Sequence, residues 1–239
     1  MEIKLLKNVP LFSELSPGEL EELLELSEKR RYPKGSIVLY KGDVGQVLYL
    51  ILKGKVKVVL FDENGKEIIL SMLKSGNYFG EMSAFDQMSR SATVITVEDS
   101  EFLVISQKSI TDQIEKNPKI ALKLLSEMSR RLREADEQIS NLALLDVRGR
   151  VAQILLKLYK GTNVRKGEDY RIVPRPALKD IAAMSGTSRE TVSRVLSEFS
   201  KRGLISLTKE NIIIYGKLEV EDVTSQKVRV SRHKYTLIP

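Results

Sequence analysis

The sequence predicts an α+β fold with an N-terminal antiparallel β-roll (jelly roll), one long helix and a C-terminal winged helix-turn-helix. The β-roll is indicated by short runs of alternating apolar residues, cut by glycine turns, over residues 31–104. The winged helix-turn-helix is indicated by two amphipathic helical segments around a glycine, followed by two apolar runs, over residues 178–216. We therefore divide the chain into a β-roll domain (1–116), a long helix (117–145), a winged helix-turn-helix domain (146–216) and an extension (217–239).

The N-terminal part contains one predicted helix and six predicted strands. Residues 16–19, Ser-Pro-Gly-Glu, match a capping box, so a helix is expected from about residue 17 to residue 29. Asn64-Gly65 is the strongest hairpin signal in the chain. The strands are expected at residues 36–40, 47–52, 56–61, 68–73, 93–97 and 101–105.

The long helix carries a regular apolar seam. A shorter helix over residues 106–116 ends at Asn117-Pro118, which starts the long one. Such a seam packs on a twin helix or on the chain's own β-roll. Because the seam is narrow and regular, we expect the twin helix and hence a symmetric homodimer. The seam residues, spaced by alternating steps of three and four, are Leu125, Met128, Leu132, Ala135, Ile139 and Leu142.

The composition excludes several classes of active site. The chain of 239 residues has no cysteine, which excludes disulfides, Cys-ligated iron–sulfur clusters and Cys-based zinc sites. His233 is the only histidine, so neither a Ser-His-Asp triad nor a multi-histidine metal centre can form. We predict no enzyme and no metal, haem or iron–sulfur cofactor. No run of 18 apolar residues and no secretion signal are present, so a soluble cytoplasmic protein without membrane contact is expected.

The positive charge lies in the C-terminal part of the chain. The formal net charge is +7. From Asp146 onward there are 19 Lys and Arg against 10 Asp and Glu, whereas the first 145 residues hold 20 against 22. This distribution indicates that the C-terminal part contacts a polyanion.

Residues 79–94 have the chemistry of a nucleotide-binding segment. Gly80 lets the backbone approach a ligand closely at a predicted helix start. The carboxylate of Glu81 can accept hydrogen bonds from sugar hydroxyls, and the guanidinium of Arg90 can bind a phosphate. The alternative interpretation is a Glu–Arg pair at the rim of an ordinary β-turn.

This segment, F-G-E-x-S-x-(five residues)-R-S-A-T-V, resembles the phosphate-binding cassette of cyclic-nucleotide-binding domains. In that family the glutamate binds the ribose 2′-hydroxyl, the arginine binds the cyclic phosphate and the following serine helps to hold it. The resemblance assigns these roles to Glu81, Arg90 and Ser91. The candidate nucleotide-binding residues are Gly80, Glu81, Met82, Ser83, Arg90, Ser91, Ala135 and Asp136.

The sequence of the C-terminal part predicts a winged helix-turn-helix. Asp146 is expected to cap an amphipathic helix, with a turn to residue 169 and a strand at residues 170–173. A small residue, a turn glycine and two buried branched residues are expected at Ala182, Gly186, Val192 and Val195. The second helix of the motif starts after a Thr-Ser cap, and two short strands after residue 203 form the wing. The candidate DNA-binding residues are Thr187, Ser188, Arg189, Glu190, Ser193 and Arg194.

Three of these side chains have the hydrogen-bonding groups that read base pairs. Arg189 and Arg194 can each make two hydrogen bonds to guanine, and Glu190 can accept one from cytosine. The alternative is a solvated helix surface, which the helix-turn-helix pattern and the basic surroundings disfavour.

Residues 141–216 resemble the hinge and DNA-binding domain of the Crp/Fnr family of transcription regulators. The resemblance is closest over residues 141–150, N-L-A-L-L-D-V-R-G-R, and over residues 188–194, S-R-E-T-V-S-R. In that family Arg-Glu-x-x-x-Arg reads a TGTGA-type half-site, which maps onto Arg189, Glu190 and Arg194.

The resemblance implies a homodimeric regulator that binds palindromic double-stranded DNA under the control of a cyclic nucleotide, with RNA polymerase as a further partner. Effector binding is expected to shift the population of conformations about a hinge near residues 144–146. Cyclic AMP is the effector that the family implies. The alternatives are a regulator of the same fold that responds to cyclic di-GMP or acts without effector, and a nucleotide-binding regulatory subunit of another enzyme or channel.

The residues expected to face the base differ from the family pattern. In cyclic AMP-binding members a Thr-Ser pair on the dimer helix bonds the adenine. Aligning residues 131–132 and 141–142 puts Ala135 and Asp136 there. A carboxylate only accepts hydrogen bonds and therefore fits guanine better than adenine, so we expect weak adenine selectivity or a guanine nucleotide. The alternative is that Asp136 pairs with Arg133 one turn back.

Overall fold

The computed structural model describes residues 2–7, 9–160, 165–166, 169–172, 175–215 and 218. The chain divides into two compact units, residues 1–134 and 135–239, and the division falls inside the long helix. Among the described residues no helix is long and apolar enough to cross a membrane.

The first unit is an antiparallel β-roll with helices at both chain ends, which confirms the predicted fold class. Its two four-stranded sheets have the orders β1-β8-β3-β6 and β2-β7-β4-β5. The helices are α1 (Glu2–Lys7), a 3₁₀ turn (Pro10–Phe12), α2 (Pro17–Glu25), α3 (Glu81–Asp86), α4 (Gln107–Lys116) and α5 (Lys119–Leu144). The strands are β1 (Glu28–Tyr32), β2 (Ile37–Leu39), β3 (Val47–Lys53), β4 (Lys55–Phe61), β5 (Glu67–Lys74), β6 (Tyr78–Phe79), β7 (Thr93–Thr96) and β8 (Ser100–Ser106).

The first sheet is covered on both faces because its strands alternate between two apolar clusters. The inner cluster lies between the two sheets and contains Tyr49, Phe79 and Phe102. The rings of Tyr49 and Phe79 stack with their centroids 5.1 Å apart. The outer cluster includes Leu50 and Tyr78 of the same strands and packs against the helices. Neighbouring residues of one strand thus face opposite cores.

The local signals at helix starts and at the hairpin are confirmed. The Ser16 hydroxyl accepts from the Glu19 N–H at 3.3 Å, and the Glu19 carboxylate accepts from the Ser16 N–H at 2.7 Å, which is the predicted capping box. The β4–β5 hairpin turns at Asn64-Gly65, where Gly65 has a φ of 75°. The short helix expected over residues 106–116 is α4, and Ser106 caps it.

Two predictions in this unit were wrong. The helix expected to reach residue 29 ends at Glu25, and residues 28–32 form strand β1 at the edge of the first sheet. Residues 28–31 are all exposed, so they offer no apolar face with which a helix could pack. An edge strand needs only backbone pairing, here with β8. The two-residue strand β6 was also missed, because two residues are too short to show an alternating pattern.

The seam of α5 is largely exposed. Leu125 is 61% exposed, Leu132 64%, Ile139 65% and Leu142 59%. Ala135 is exposed as well. Met128 differs, because it is partly buried against the outer cluster of the first unit. Most of the apolar stripe is therefore left uncovered by the described residues.

The second unit is a winged helix-turn-helix. Asp146 caps α6, its Oδ1 accepting from the Gly149 N–H at 2.9 Å. Strands β11 and β12 form the predicted wing, and the sheet order is β11-β12-β10-β9. The elements are α6 (Val147–Lys160), β9 (Arg165–Lys166), β10 (Asp169–Ile172), α7 (Leu178–Ser185), α8 (Arg189–Lys201), β11 (Ile205–Leu207) and β12 (Ile212–Tyr215).

Two predicted features lie partly outside the described residues. Of the turn expected over residues 161–169, the structure describes only residues 165, 166 and 169. Residues 165 and 166 form strand β9, and residue 169 starts strand β10. The extension over residues 217–239 is described only at Leu218, which is buried in the core of the second unit.

Candidate functional site

Gly80 forms the corner of the predicted cassette. It joins β6 to α3 with a φ of 83°, a conformation that favours glycine. A Cβ at this position would lie 2.8 Å from Nη1 of Arg90 and 3.0 Å from the carbonyl oxygen of Val47. The glycine therefore allows both the turn and the close approach of the arginine.

Arg90 is a buried cation held by neutral groups. Only 4% of the residue is exposed. Its Nη1 donates to the Gly80 carbonyl at 2.7 Å and to the Ser83 hydroxyl at 2.6 Å, and its Nη2 donates to the Val47 carbonyl at 3.1 Å. Burial lowers the pKa of this guanidinium, and the negative charges of Glu81 and Asp43 offset part of that effect.

Arg90 makes no ion pair with any described residue, although a buried charge is normally paired. The alternative of a Glu81–Arg90 pair at the rim of a turn is therefore wrong: both residues are buried, and they are not paired with each other. Gly45 adds to the confinement of the guanidinium, since a Cβ there would lie 2.6 Å from Nη2. The arrangement presents a fixed positive charge to an anion.

Glu81 is a buried carboxylate with one oxygen paired and the other not. Its residue is 4% exposed. Oε1 accepts from Nη1 of Arg131 at 3.0 Å, and Oε2 is buried without a hydrogen-bond partner among the described residues. Burial raises the pKa of this carboxyl, and the charge of Arg131 offsets part of that effect. Oε2 is thus an acceptor that a ligand hydroxyl can satisfy.

Arg131 contacts the candidate site but was not among its predicted residues. It lies on α5, and its Nη2 donates to the Tyr78 carbonyl at 2.7 Å while its Nε donates to Glu127 at 3.0 Å. Its guanidinium carbon lies 4.9 Å from the centroid of the Tyr78 ring. Its partner Glu81 is 50 residues away in sequence, so no local pattern marks it among the other arginines of α5.

The remaining predicted nucleotide-binding residues differ in their placement. Ser83 is buried against Arg90, whereas Met82 is 51% exposed. Ser91 is exposed, and its hydroxyl lies 3.7 Å from the Met82 sulfur. Ala135 and Asp136 belong to the second unit and are exposed, so their place beside a base stays a prediction. The alternative that Asp136 pairs with Arg133, which belongs to the first unit, also stays a prediction.

The helix-turn-helix has the expected geometry. Gly186 ends α7 with a φ of 64°, and the hydroxyl of Ser188 caps α8 by accepting from the Thr191 N–H at 3.2 Å. Val192 and Val195 are buried as predicted, as is Ala182 of α7. The half-buried Thr187 donates its N–H to the carbonyl of the same alanine at 3.1 Å.

The outer face of α8 presents the predicted DNA-binding side chains. Arg189, Glu190, Ser193 and Arg194 are exposed. Hydrogen bonds from backbone N–H and Ser188 lower the pKa of Glu190, which keeps it an ionised acceptor. These side chains line a shallow recess of about 840 Å³ together with residues that we did not predict, namely Leu178, Ser197, Glu198, Lys201 and Arg202.

Comparisons with known proteins place this architecture in a family. Residues 29–117 match the cyclic nucleotide-binding domain, and residues 149–217 match the Crp-like helix-turn-helix domain. The cyclic AMP receptor protein of Thermus thermophilus is 39% identical over 220 residues, which cover 91% of this chain and 98% of that protein. The cAMP-activated global transcriptional regulator CRP of Salmonella typhimurium is 38% identical over 82% of this chain and 94% of its own length.

The chain belongs to the Crp/Fnr family. Solved structures agree with this assignment. The structure of the c-di-GMP responsive regulator CLP of Xanthomonas campestris matches 84% of this chain and 100% of its own chain. Its TM-score is 0.73 and its sequence identity is 27%. The Thermus thermophilus catabolite activator protein covers 89% of this chain, with 97% of that chain matched, a TM-score of 0.52 and 37% identity. This Crp/Fnr member is thus a DNA-binding transcription regulator with a cyclic nucleotide-binding domain, which confirms the prediction of a regulator rather than an enzyme.

The raised pKa of Glu81 leads to a test by pH. The folded state holds the Glu81 proton more tightly than the unfolded state, so the contribution of this residue to stability is largest below its unfolded pKa and is lost as the pH rises through its folded pKa. The free energy of unfolding should therefore fall more with rising pH in the unmodified protein than in Glu81→Gln, measured by urea denaturation between pH 4 and 8. Since both proteins share all other titrating groups, their difference isolates Glu81. A difference that grows in favour of the unmodified protein with rising pH would contradict the prediction.

Proposed function

We propose that this protein is a homodimeric transcription regulator whose affinity for DNA is controlled by a cyclic nucleotide bound at residues 80–91. The observation that carries the proposal is a pair of buried groups that the described residues satisfy incompletely: the cation of Arg90 has no ion-pair partner among them, and Oε2 of Glu81 has no donor among them. A cyclic phosphate supplies the missing anion, and the adjoining ribose supplies the missing hydroxyl donor. One ligand can therefore satisfy both groups at once.

The roles within the site follow from this chemistry. Arg90 binds the cyclic phosphate, Glu81 accepts from the ribose 2′-hydroxyl, and the exposed hydroxyl of Ser91 adds a donor to the phosphate. The relatives named above are called a cyclic AMP receptor, a cAMP-activated regulator and a c-di-GMP responsive regulator. They support a cyclic nucleotide as the effector and differ in its base, which leaves the base to the residues of this chain.

The exposed seam of α5 supports the homodimer. Four large side chains of the seam are each more than half exposed, and a second copy of the same seam covers them in a two-stranded coiled coil. A two-fold dimer also presents two copies of α8, as a palindromic DNA site requires. At each half-site, Arg189, Glu190 and Arg194 read the bases, and RNA polymerase is the partner through which a bound regulator acts on transcription.

Arg90→Ala should weaken nucleotide binding by at least about 2 kcal/mol, because it removes the charged hydrogen bonds to the phosphate. The measurement is calorimetric titration of nucleotide-free protein with cyclic AMP, cyclic GMP and cyclic di-GMP. Arg31→Ala, which removes an exposed arginine of the same unit, is the matched control and should bind like the unmodified protein. Equal affinities for the two variants would overturn the proposed site.

Asp136→Ser should move the base preference toward cyclic AMP, because a hydroxyl can both donate and accept whereas a carboxylate only accepts. Competition between cyclic AMP and cyclic GMP measures the preference, and Glu137→Ser controls for the loss of one negative charge on the same helix. Strong cyclic AMP selectivity in the unmodified protein that the substitution leaves unaltered would show that Asp136 is only a surface charge.

Arg189→Ala and Arg194→Ala should each cost about 1–3 kcal/mol of DNA affinity and relax the preference at one guanine. Electrophoretic shifts with a palindrome of TGTGA-type half-sites and its single-base variants measure both effects, with and without nucleotide. The unmodified complex should contain two chains per palindrome. Lys157→Ala, on an exposed position of α6, should keep the preference. A uniform loss over all sequences would make the two arginines phosphate contacts instead.

A further inference from the structure

We infer that Tyr78 positions the nucleotide-binding carboxylate of Glu81 through the guanidinium of Arg131, without itself touching the ligand. The inference rests on the proposed function of Glu81 and adds a residue to the site that lies on the opposite face of the sheet. Tyr78 and Phe79 are adjacent in β6, and they face different clusters: Phe79 faces the inner one and Tyr78 the outer one.

Tyr78 makes two of the contacts that hold Arg131. Its carbonyl accepts from Nη2 at 2.7 Å, and its ring lies under the guanidinium at 4.9 Å from the guanidinium carbon. A guanidinium at this distance from an aromatic face is attracted by the negative charge density of the ring. The ring is itself fixed, because the residue is 5% exposed and packs in the outer cluster. Tyr78 therefore gives a long and flexible side chain a rigid support.

Holding Arg131 determines which oxygen of Glu81 faces a ligand. Nη1 of Arg131 donates to Oε1 at 3.0 Å, and Oε2 has no partner in the part of the chain that the structure describes. Arg131 also has a competing carboxylate, because its Nε donates to Glu127 at 3.0 Å. Without the ring, the guanidinium is free to turn toward Glu127, and Glu81 loses the contact that fixes its orientation.

The hydroxyl of Tyr78 is not needed for this role. It is buried and has no hydrogen-bond partner among the described residues, and burial raises the pKa of the phenol. The aromatic face alone supports Arg131, so phenylalanine should serve as well as tyrosine. This separates the positioning role from any hydrogen bond of the phenol.

The test compares Tyr78→Leu with Tyr78→Phe by titration with cyclic AMP and cyclic GMP and with the 2′-deoxy form of each. Since Glu81 acts on the 2′-hydroxyl, Tyr78→Leu should weaken binding of the ribonucleotide by roughly 2- to 30-fold, the range expected for a lost cation–π contact. Binding of the 2′-deoxy nucleotide should not change, which also shows that the variant is folded. Tyr78→Phe should bind both forms like the unmodified protein.

A double variant shows whether Tyr78 acts through Arg131. In an Arg131→Ala background, Tyr78→Leu should not change the ratio of the affinity for the ribonucleotide to the affinity for its 2′-deoxy form any further. If Tyr78→Leu keeps the full preference of the unmodified protein for the ribonucleotide, or weakens both forms equally, the positioning role is wrong and the nucleotide site stands. If the unmodified protein binds none of the four nucleotides, the proposed function fails, and this inference fails with it.

Discussion

The site depends on burying two opposite charges that do not pair with each other. Removing a carboxylate and a guanidinium from water costs several kcal/mol per ion unless other groups compensate. Here Glu81 is compensated by Arg131 from α5, and Arg90 by two carbonyls and a hydroxyl. Among the described residues, Oε2 of Glu81 can still accept a hydrogen bond, and the positive charge of Arg90 is not neutralised by an ion pair. A ligand that meets both finds groups that are already ordered, which lowers the entropy cost of binding.

This constraint explains the backbone around the site. Arg90 can be buried only because Gly45 and Gly80 leave room where a Cβ would lie within 3 Å of its guanidinium. Glu81 is paired with a cation, and that cation comes from α5 rather than from the β-roll. The helix that carries the exposed seam therefore also supplies a charge to the candidate nucleotide-binding site. A ligand that bound Glu81 would change the hydrogen bonding of α5 through Arg131, and in the proposed dimer this would couple the ligand to the helix of the seam.

Whether a feature of the fold or the site could be predicted from the sequence depends on how far apart in the chain its interacting residues lie. The Ser16 capping box, the Asn64-Gly65 hairpin and the turn at Gly186 are set by neighbouring residues, and all three were predicted. Strand β1 was not, because its charged residues show no alternation and its partner β8 lies about 70 residues later. Arg131 was not, because a charge compensating Glu81 can come from any cation that the fold brings near.

Helix α8 shows a related balance between charge and selectivity. Two rows of side chains, each spaced by four residues, line the recess: Arg189, Ser193, Ser197 and Lys201 in one, and Glu190, Arg194, Glu198 and Arg202 in the other. In the second row, the two carboxylates offset the charges of the two guanidinium groups. Glu198 also pairs with Arg148 at 3.0 Å. Binding to any DNA sequence comes mainly from cations on phosphates. Carboxylates on the same face weaken that general attraction, while in the proposed DNA complex Glu190 would gain a hydrogen bond only opposite a suitable base. A helix face with charges of both signs therefore lowers the affinity for random DNA more than the affinity for the correct half-site. The ratio of specific to non-specific affinity, on which a regulator depends, rises as a result.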